Sequence, residues 1–305
     1  MRWLVTGAGG MLGTDLCGVL THAGQVDELT AATRADLDLL DAHAVDAAVR
    51  GHDVVINCGG WTDVDAAEAR EHDATAVNGD AVTELAASCG RAGSLLFHIS
   101  TDYVLGGDLA PPATGPYRED APTAPVNAYG RGKLVAEQAV LKTLPDRGYV
   151  LRTAWLYAGH GRNFVTTMLR VAGQRDTVNV VDDQRGQPTW TVPMANQLIA
   201  LVAAAVAGDA RPGIYHATSS GETSWYGLAR AVFVEAGLDP ERVRPTTSAQ
   251  FPRPATRPAY SVLGHDRWAG TGVPTLPHWR GMLSEALAHP SFAPALRQSA
   301  SPEES

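Results

Sequence analysis

Short apolar runs alternate with amphipathic stretches along the first 157 residues, and the hydrophobic period switches between them repeatedly. WLVTG reads as a strand entering a glycine turn. A helix follows from near Met11 through TDLCGVLTHAG, and the Ala-Gly pair at 23–24 ends it. VDELTAAT predicts a second strand, DAHAVDAAVR a helix and HDVVINCGG a third strand. AVTELAASCGRAG is a helix with a glycine stop, and SLLFHIS is the next strand. This succession predicts βαβ units around a parallel sheet, a Rossmann-type doubly wound α/β fold. Segment 106–128 is crowded with Gly and Pro and predicts a long loop, functional or disordered. AYGRGKLVAEQAVLKTL restores a helix, and YVLRTAWLY reads as one further strand, closing a dinucleotide-binding domain over 1–157.

The pattern changes after that point. NFVTTMLRVAGQ is helical, VNVVDDQRGQPTW is a short strand leading into a polar turn, and VPMANQLIALVAAAVAG is a long helix. GIYHATSSGETSWYGLARAVFVEAGL predicts a strand, a loop and a helix. Residues 243–264 hold four of the nineteen prolines and predict an extended wrap. Residues 158–290 thus predict a smaller, mainly substrate-binding C-terminal lobe, with elements that cross back to the first domain. From Ser291 the chain is small and polar, and 291–305 predicts a flexible tail. There is no internal repeat.

Composition narrows the function classes. The 305 residues carry 24 Lys and Arg against 33 Asp and Glu, a net charge of −9, which disfavours a nonspecific nucleic-acid binder. The run LIALVAAAVA, at ten residues, is far short of the ~20 a membrane helix needs. The N-terminus enters the first strand with no apolar leader, so a cytoplasmic location is expected. Cys17, Cys58 and Cys89 are odd in number and widely spaced, which predicts reduced, buried thiols and neither a disulfide scaffold nor a zinc site.

Gly7, Gly10 and Gly13 form GxxGxxG between a strand and a helix. Such a turn lets the backbone approach a pyrophosphate at a helix N-terminus. The second strand ends in AATRAD, and Glu28 stands at its start, too early to hold a ribose 2′-hydroxyl. Arg34 would grip a 2′-phosphate, so NADPH is favoured and NADH stays open as a donor. Asp38 is placed either to meet the adenine edge or to cap the following helix. Tyr129 and Lys133 form YxxxK, which a helix puts on one face, where the cation favours the phenolate of its neighbour. FHISTDYV brings Ser100, Thr101 and Asp102 to a strand end, and spacing leaves open which hydroxyl, Ser100 or Thr101, serves a substrate carbonyl.

Nine stretches carry a resemblance across almost the whole chain. They are GAGGMLG at 7–13, NCGGWTDVDAAE at 57–68, VNGDAV at 77–82, STDYVLGG at 100–107, YREDAPTAPVNAYGRGK at 117–133, LRTAWLY at 151–157, VVDDQRGQPT at 180–189, GIYHATSSGETSWYGLA at 213–229 and RPAYSVL at 257–263. They resemble the extended short-chain dehydrogenase/reductases and, within them, the dTDP-4-dehydrorhamnose reductases. The resemblance implies NADPH-dependent reduction of a sugar-nucleotide C4 ketone, with Thr101, Tyr129 and Lys133 as the catalytic trio. In that scheme Tyr129 protonates the sugar oxygen, Thr101 supports the alkoxide, and Lys133 holds the nicotinamide ribose; no metal is needed.

Cofactor contacts are implied for Gly7, Gly10, Met11, Leu12 and Gly13, for Arg34, Asp38 and Leu39, and for Cys58, Gly59 and Gly60 beside Tyr129 and Lys133. For the dTDP-sugar, the resemblance suggests Thr62, Val64, Asp102 and Trp155 around the sugar. Gln184, Thr189 and Trp190 would form a covering turn, and Arg257 would meet the diphosphate. Two departures stand out. NCGGWT replaces the alanine-rich NAAAYT type, opening space beside the cofactor and changing the sugar side. Some relatives resemble metal-bridged dimers, but the matching positions, Asp15, Val192 and Glu285, include a valine that cannot ligate magnesium, so a monomer is expected. Rival readings are a reductase of another deoxysugar of an antibiotic pathway (dihydrostreptose type), an epimerase or dehydratase, and a noncatalytic dinucleotide-binding regulatory subunit.

Overall fold

The computed structural model describes residues 1–23, 27–107 and 115–300. Six strands form one all-parallel sheet: β1 (Arg2–Thr6), β2 (Glu28–Ala32), β3 (Val54–Asn57), β4 (Leu95–Thr101), β5 (Gly148–Thr153) and β6 (Gly213–His216). Their order is β6-β5-β4-β3-β1-β2, so the direction of winding reverses between β1 and β3. Side chains alternate between two cores. Trp3, Val5, Val54, Ile56, Phe97 and Leu151 face one, whereas Leu4, Val55, Leu96 and Val150 face the other. Both faces are covered by helices, which is why these strands read as unbroken apolar runs.

Helices α1 (Met11–Ala23) and α2 (Ala42–Val49) follow β1 and β2. Helix α3 (Ala81–Ala92) precedes β4 and ends on Gly93 at φ 76°, a left-handed cap suited to glycine. Helix α4 (Ala128–Thr143) links β4 to β5. The alternation gave these elements. It did not give the helical turns Val64–Ala69 and Glu71–Thr75, or the π-helical turn Ala76–Asp80 that follows them.

The expected single strand over 149–157 is two. β5 stops at Thr153, the backbone of Trp155 turns to φ 46°, and Leu156–Tyr157 pairs with Thr189–Trp190 outside the main sheet. The second half does cross back: β6 joins β5, with Tyr149 opposite Gly213, and helix α5 (Thr191–Ala207) lies along α1. The proline-rich segment 243–264 begins with a strand, Val243–Thr246, paired to Val178–Val181, and then runs irregularly back to the cleft. Regular structure extends past the expected start of the tail. Pro290–Phe292 is a 3-10 turn with Phe292 wholly buried, and Ala293–Ala300 is a helix. Residues 301–305, the Gly24 helix stop, and 108–114 of the expected long loop lie outside the described residues. Among the described residues, no helix is long and apolar enough to cross a membrane.

Candidate active site

A cleft of about 1150 Å³ opens at the carboxyl ends of the strands, where the winding reverses. The glycines after β1 and β3 build its floor. Gly7 has φ 68°, and a Cβ there would lie 2.5 Å from the amide nitrogen of Gly59. A Cβ on Gly13 would run into the carbonyl oxygen of Gly7, so α1 can start tight against the turn only without one. Asn57, buried at the end of β3, fixes this crossing. Its Oδ1 accepts from Thr6 Oγ1 at 2.7 Å and from the Gly59 amide at 3.0 Å, and its Nδ2 meets His98 Nδ1 at 3.1 Å. The result is a smooth backbone cradle at a helix N-terminus, which fits a pyrophosphate.

Met11, Leu12, Cys58 and Gly60 line the same cradle. Cys58 and Cys17 are half-buried, and only Cys89 is fully enclosed, which corrects the expectation of three buried thiols. Burial pushes the Cys58 thiol up to about 12, so it is an inert wall of the cleft near neutral pH. At one end the wall comprises Thr33, Arg34, Asp38 and Leu39. Arg34 is exposed there. Asp38 accepts from the Leu40 amide at 3.0 Å, while Asp41 caps α2 through His43 and Ala44; this settles the capping alternative against Asp38.

The alternation of β4 gives the two hydroxyls left open by spacing different partners. Ser100 Oγ donates to Glu137 Oε1 at 2.5 Å, on the side of α4, and is already engaged. Thr101 and Tyr129 line the cleft, as does Ser100, and Thr101 Oγ1 donates to Asp102 Oδ1 at 3.0 Å. Helix α4 carries both Tyr129 and Lys133. Asn127 caps it by accepting from the Gly130 amide at 2.8 Å, and it also donates to the Thr256 carbonyl at 2.8 Å. Gly130 is obligatory because a Cβ would collide with the Tyr103 carbonyl. Lys133 Nζ donates to the Ile99 carbonyl at 3.0 Å and stands 3.2 Å from where a Gly60 Cβ would be. Burial pulls its ammonium down to about 8, and burial pushes the Tyr129 phenol up to about 12. The tyrosine is therefore a protonated donor near neutral pH, with the lysine mostly charged one turn away.

Thr62, Val64, Asp102 and Trp155 also line the cleft. Trp155 stacks on Trp225 with centroids 3.6 Å apart and planes at 9°, and Gly186 leaves the room it needs: a Cβ there would lie 2.5 Å from Trp155 Cε2. Four of the expected contacts, Gln184, Thr189, Trp190 and Arg257, do not line the cleft. Thr189 is wholly buried, with Oγ1 donating to the Gln187 carbonyl and accepting from the Ser219 amide. Trp190 belongs to the apolar core, beside His289. Both lie in the short pairing that anchors Leu156–Tyr157, which turns them away from the cleft. Gln184 is one residue removed: its Oε1 accepts from Trp225 Nε1 at 3.2 Å and its Nε2 donates to Ser248.

Arg257 also stands behind the wall. Its Nη1 pairs with Asp65 Oδ1 at 2.5 Å, and Arg253 holds the other carboxylate oxygen at the same distance. The Arg257 hydrogen bond is the main reason the Asp65 carboxyl falls to about 2. Asp15 is engaged by His160 at 2.9 Å and by Thr191, and among the described residues no group of His, Cys, Asp and Glu is arranged to hold a metal.

Several lining residues carried no periodic signal. Trp225 sits at a helix start after a polar loop, and Tyr103 within a 3-10 turn. Trp61 packs on the same small apolar cluster as Tyr129, with the Arg70 guanidinium 5.1 Å from its ring, just before the 64–80 turns that the pattern did not resolve. The stretches NCGGWTDVDAAE, VNGDAV, STDYVLGG and GIYHATSSGETSWYGLA marked these regions only by resemblance.

Fold and site together define a Rossmann-type reductase of the extended short-chain dehydrogenase/reductase class: a glycine cradle, and a Thr-Tyr-Lys trio at the carboxyl edge of a parallel sheet. The profile of the RmlD substrate binding domain matches residues 1–291. A dTDP-4-dehydrorhamnose reductase of Streptomyces griseus is 51% identical over 290 residues, covering 94% of this chain and 93% of its own. A dTDP-4-keto-6-deoxy-D-glucose reductase of Streptomyces niveus is 48% identical over 94% of this chain and 96% of its own. Among solved structures, the dTDP-4-dehydrorhamnose reductase of Bacillus anthracis in complex with NADP superposes with TM-score 0.85 at 30% identity, over 94% of this chain and 98% of that one. The chain belongs to the dTDP-4-dehydrorhamnose reductase family.

Proposed function

We propose that this protein reduces the C4 ketone of dTDP-4-dehydro-L-rhamnose to give dTDP-L-rhamnose, with NADPH as donor. The observation that carries the reading is that Thr101, Tyr129 and Lys133 all line one cleft whose floor is the Gly7–Gly13 cradle. The cradle residues, with Cys58, Gly59 and Gly60, hold the cofactor, which when bound supplies the hydride for C4. Tyr129 delivers the proton to O4. Lys133 holds the ribose and lowers the cost of the phenolate that Tyr129 becomes. Thr101 steadies the same oxygen, and Trp155, Thr62 and Val64 shape the sugar pocket. No residue here calls for a metal, since the hydroxyls polarise the ketone.

Residues 1–157 act as the cofactor domain and 158–290 chiefly as the substrate lobe, with β6 and α5 returned to the first. We take the active unit to be a cytoplasmic monomer, because Val192 cannot complete an acidic triad with Asp15 and Glu285.

The test is a coupled reaction. dTDP-4-keto-6-deoxyglucose and a 3,5-epimerase are supplied, NADPH absorbance is followed, and the product is identified by NMR. dTDP-L-rhamnose is expected. A different deoxysugar, as the Streptomyces niveus relative makes worth checking, would keep the chemistry and change the substrate. No oxidation of NADPH by a folded protein that binds it would overturn the reading.

Arg34 gives a separate check on the donor. Arg34→Ala should weaken NADPH roughly ten- to a hundredfold, the worth of charged hydrogen bonds to a 2′-phosphate, and leave NADH nearly unchanged. Fluorescence titration with both cofactors reads this directly.

A further inference from the structure

The Thr101 hydroxyl has one proton and two acceptor positions. Its proton is committed: Oγ1 donates to Asp102 Oδ1 at 3.0 Å, while the Tyr103 amide donates to Oγ1 at 3.2 Å. The other carboxyl oxygen of Asp102 accepts from Ser261 Oγ at 2.5 Å, a contact that arrives from the C-terminal wrap. An ionised carboxylate can only accept. While Asp102 is ionised, Thr101 must donate backwards to it and cannot also donate to a ketone oxygen in the cleft. A neutral Asp102 reverses the direction: its own O–H on Oδ1 donates to Thr101, which frees the threonine proton for the cleft. Ser261 still donates to Oδ2 in that state.

We infer that Asp102 is a positioning residue whose protonation sets the direction in which Thr101 donates, that Ser261 locks the carboxyl in place, and that the neutral form is the competent one. The inference rests on the ketoreductase reading above and goes beyond it by naming the device that arms the catalytic hydroxyl.

The surroundings keep a substantial neutral fraction of the carboxyl up to about pH 7. Asp102 is 2% exposed, and burial pushes its carboxyl up to about 7 against the hydrogen bonds from Ser261, Thr101 and the backbone amides of Asp102 and Tyr103. Each neighbouring element presents one or two groups. Tyr103 lies on its own segment and Tyr129 on α4, both held neutral by burial. The wrap contributes Ser261 and, beyond Tyr103, Arg257, whose charge Asp65 offsets. Among the described residues, no cation acts on Asp102 directly.

The carboxyl can be read first with neither substrate nor cofactor. Infrared difference spectra of the wild type against Asp102→Asn, titrated from acid to alkaline pH, should show a protonated carboxyl band that disappears with a midpoint near 7. A carboxyl ionised throughout would overturn the proposal.

In turnover, wild-type kcat should fall about tenfold per unit above pH ~7. Lys133 adds its own fall at higher pH in every variant. Asp102→Asn should lose the first fall, because Nδ2 donates to Thr101 at all pH values while Oδ1 accepts from Ser261. Ser261→Ala removes a hydrogen bond that favours the ionised form. The carboxyl then titrates at higher pH, and the ratio of kcat at pH 8 to that at pH 6 should rise several-fold. Uniform losses in both variants, with the fall unmoved, would mean that these residues only support the structure and would overturn the inference. If the wild type reduces no 4-keto sugar nucleotide, the ketoreductase reading fails, and the infrared midpoint alone supports or overturns the switch.

Discussion

Tyr129→Phe is expected to lower kcat by roughly 10²–10⁴-fold, the contribution of one positioned acid–base group, while NADPH binding stays close to that of the wild type. The variant keeps the ring that packs beside Trp61 and lies edge-on to Tyr103 at 6.1 Å. It loses only the phenolic hydroxyl in the cleft. Thr101 cannot replace it as the acid, since a threonine alkoxide is a far less stable product of proton loss than a phenolate near Lys133. Stopped-flow measurement of NADPH oxidation, with cofactor fluorescence as the binding control, checks the prediction. A fall smaller than tenfold would remove Tyr129 from the chemistry.

The second large effect concerns stability. Arg152→Leu should destabilise the fold by about 3–5 kcal/mol, since it strands a buried charge. Arg152 and Glu137 are each about 1% exposed, and the guanidinium holds the carboxylate with two bonds, at 2.9 Å and 2.8 Å. Ser100 donates to the same carboxylate from β4, so the pair ties α4 to β4 and β5 one turn beyond Lys133. At roughly 2–4 °C per kcal/mol for a chain of this size, the melting temperature should drop by about 10 °C. Replacing both partners, Arg152→Leu with Glu137→Leu, should recover most of the loss, because no charge is then left buried. Calorimetric melts of the three proteins decide the point. An unchanged melting temperature in the single variant would mean that water reaches the carboxylate.

These two predictions differ in how much of them could be read along the chain. Tyr129 and Lys133 are four residues apart on one helix, so local periodicity suffices to pair them. Arg152 and Glu137 sit on different elements, and neither belongs to a motif that marks a charge pair. The same contrast runs through the cleft. Gly7, Gly10 and Gly13 were legible because a tight turn between a strand and a helix permits few other residues. Thr189, Trp190 and Arg257 were misplaced because a likeness along the chain does not say which way a side chain faces. The short pairing of Leu156–Tyr157 with Thr189–Trp190 turned the first two inward, and Asp65 drew the third behind the wall.

By itself the sequence determined the alternation of strands and helices, the glycine cradle, the Tyr129–Lys133 spacing and the family. These rest on local sterics and on hydrophobic period, which act between residues near in the chain. The tertiary structure gave Ser100 to Glu137 and Thr101 to Asp102, and it broke the strand at Trp155. It also brought Ser261 from the far end of the chain onto Asp102. The Ser100 and Ser261 contacts join distant segments. Burial supplies the energy that brings such segments together, and hydrogen-bond direction, which no spacing along the chain encodes, then fixes what each group can do.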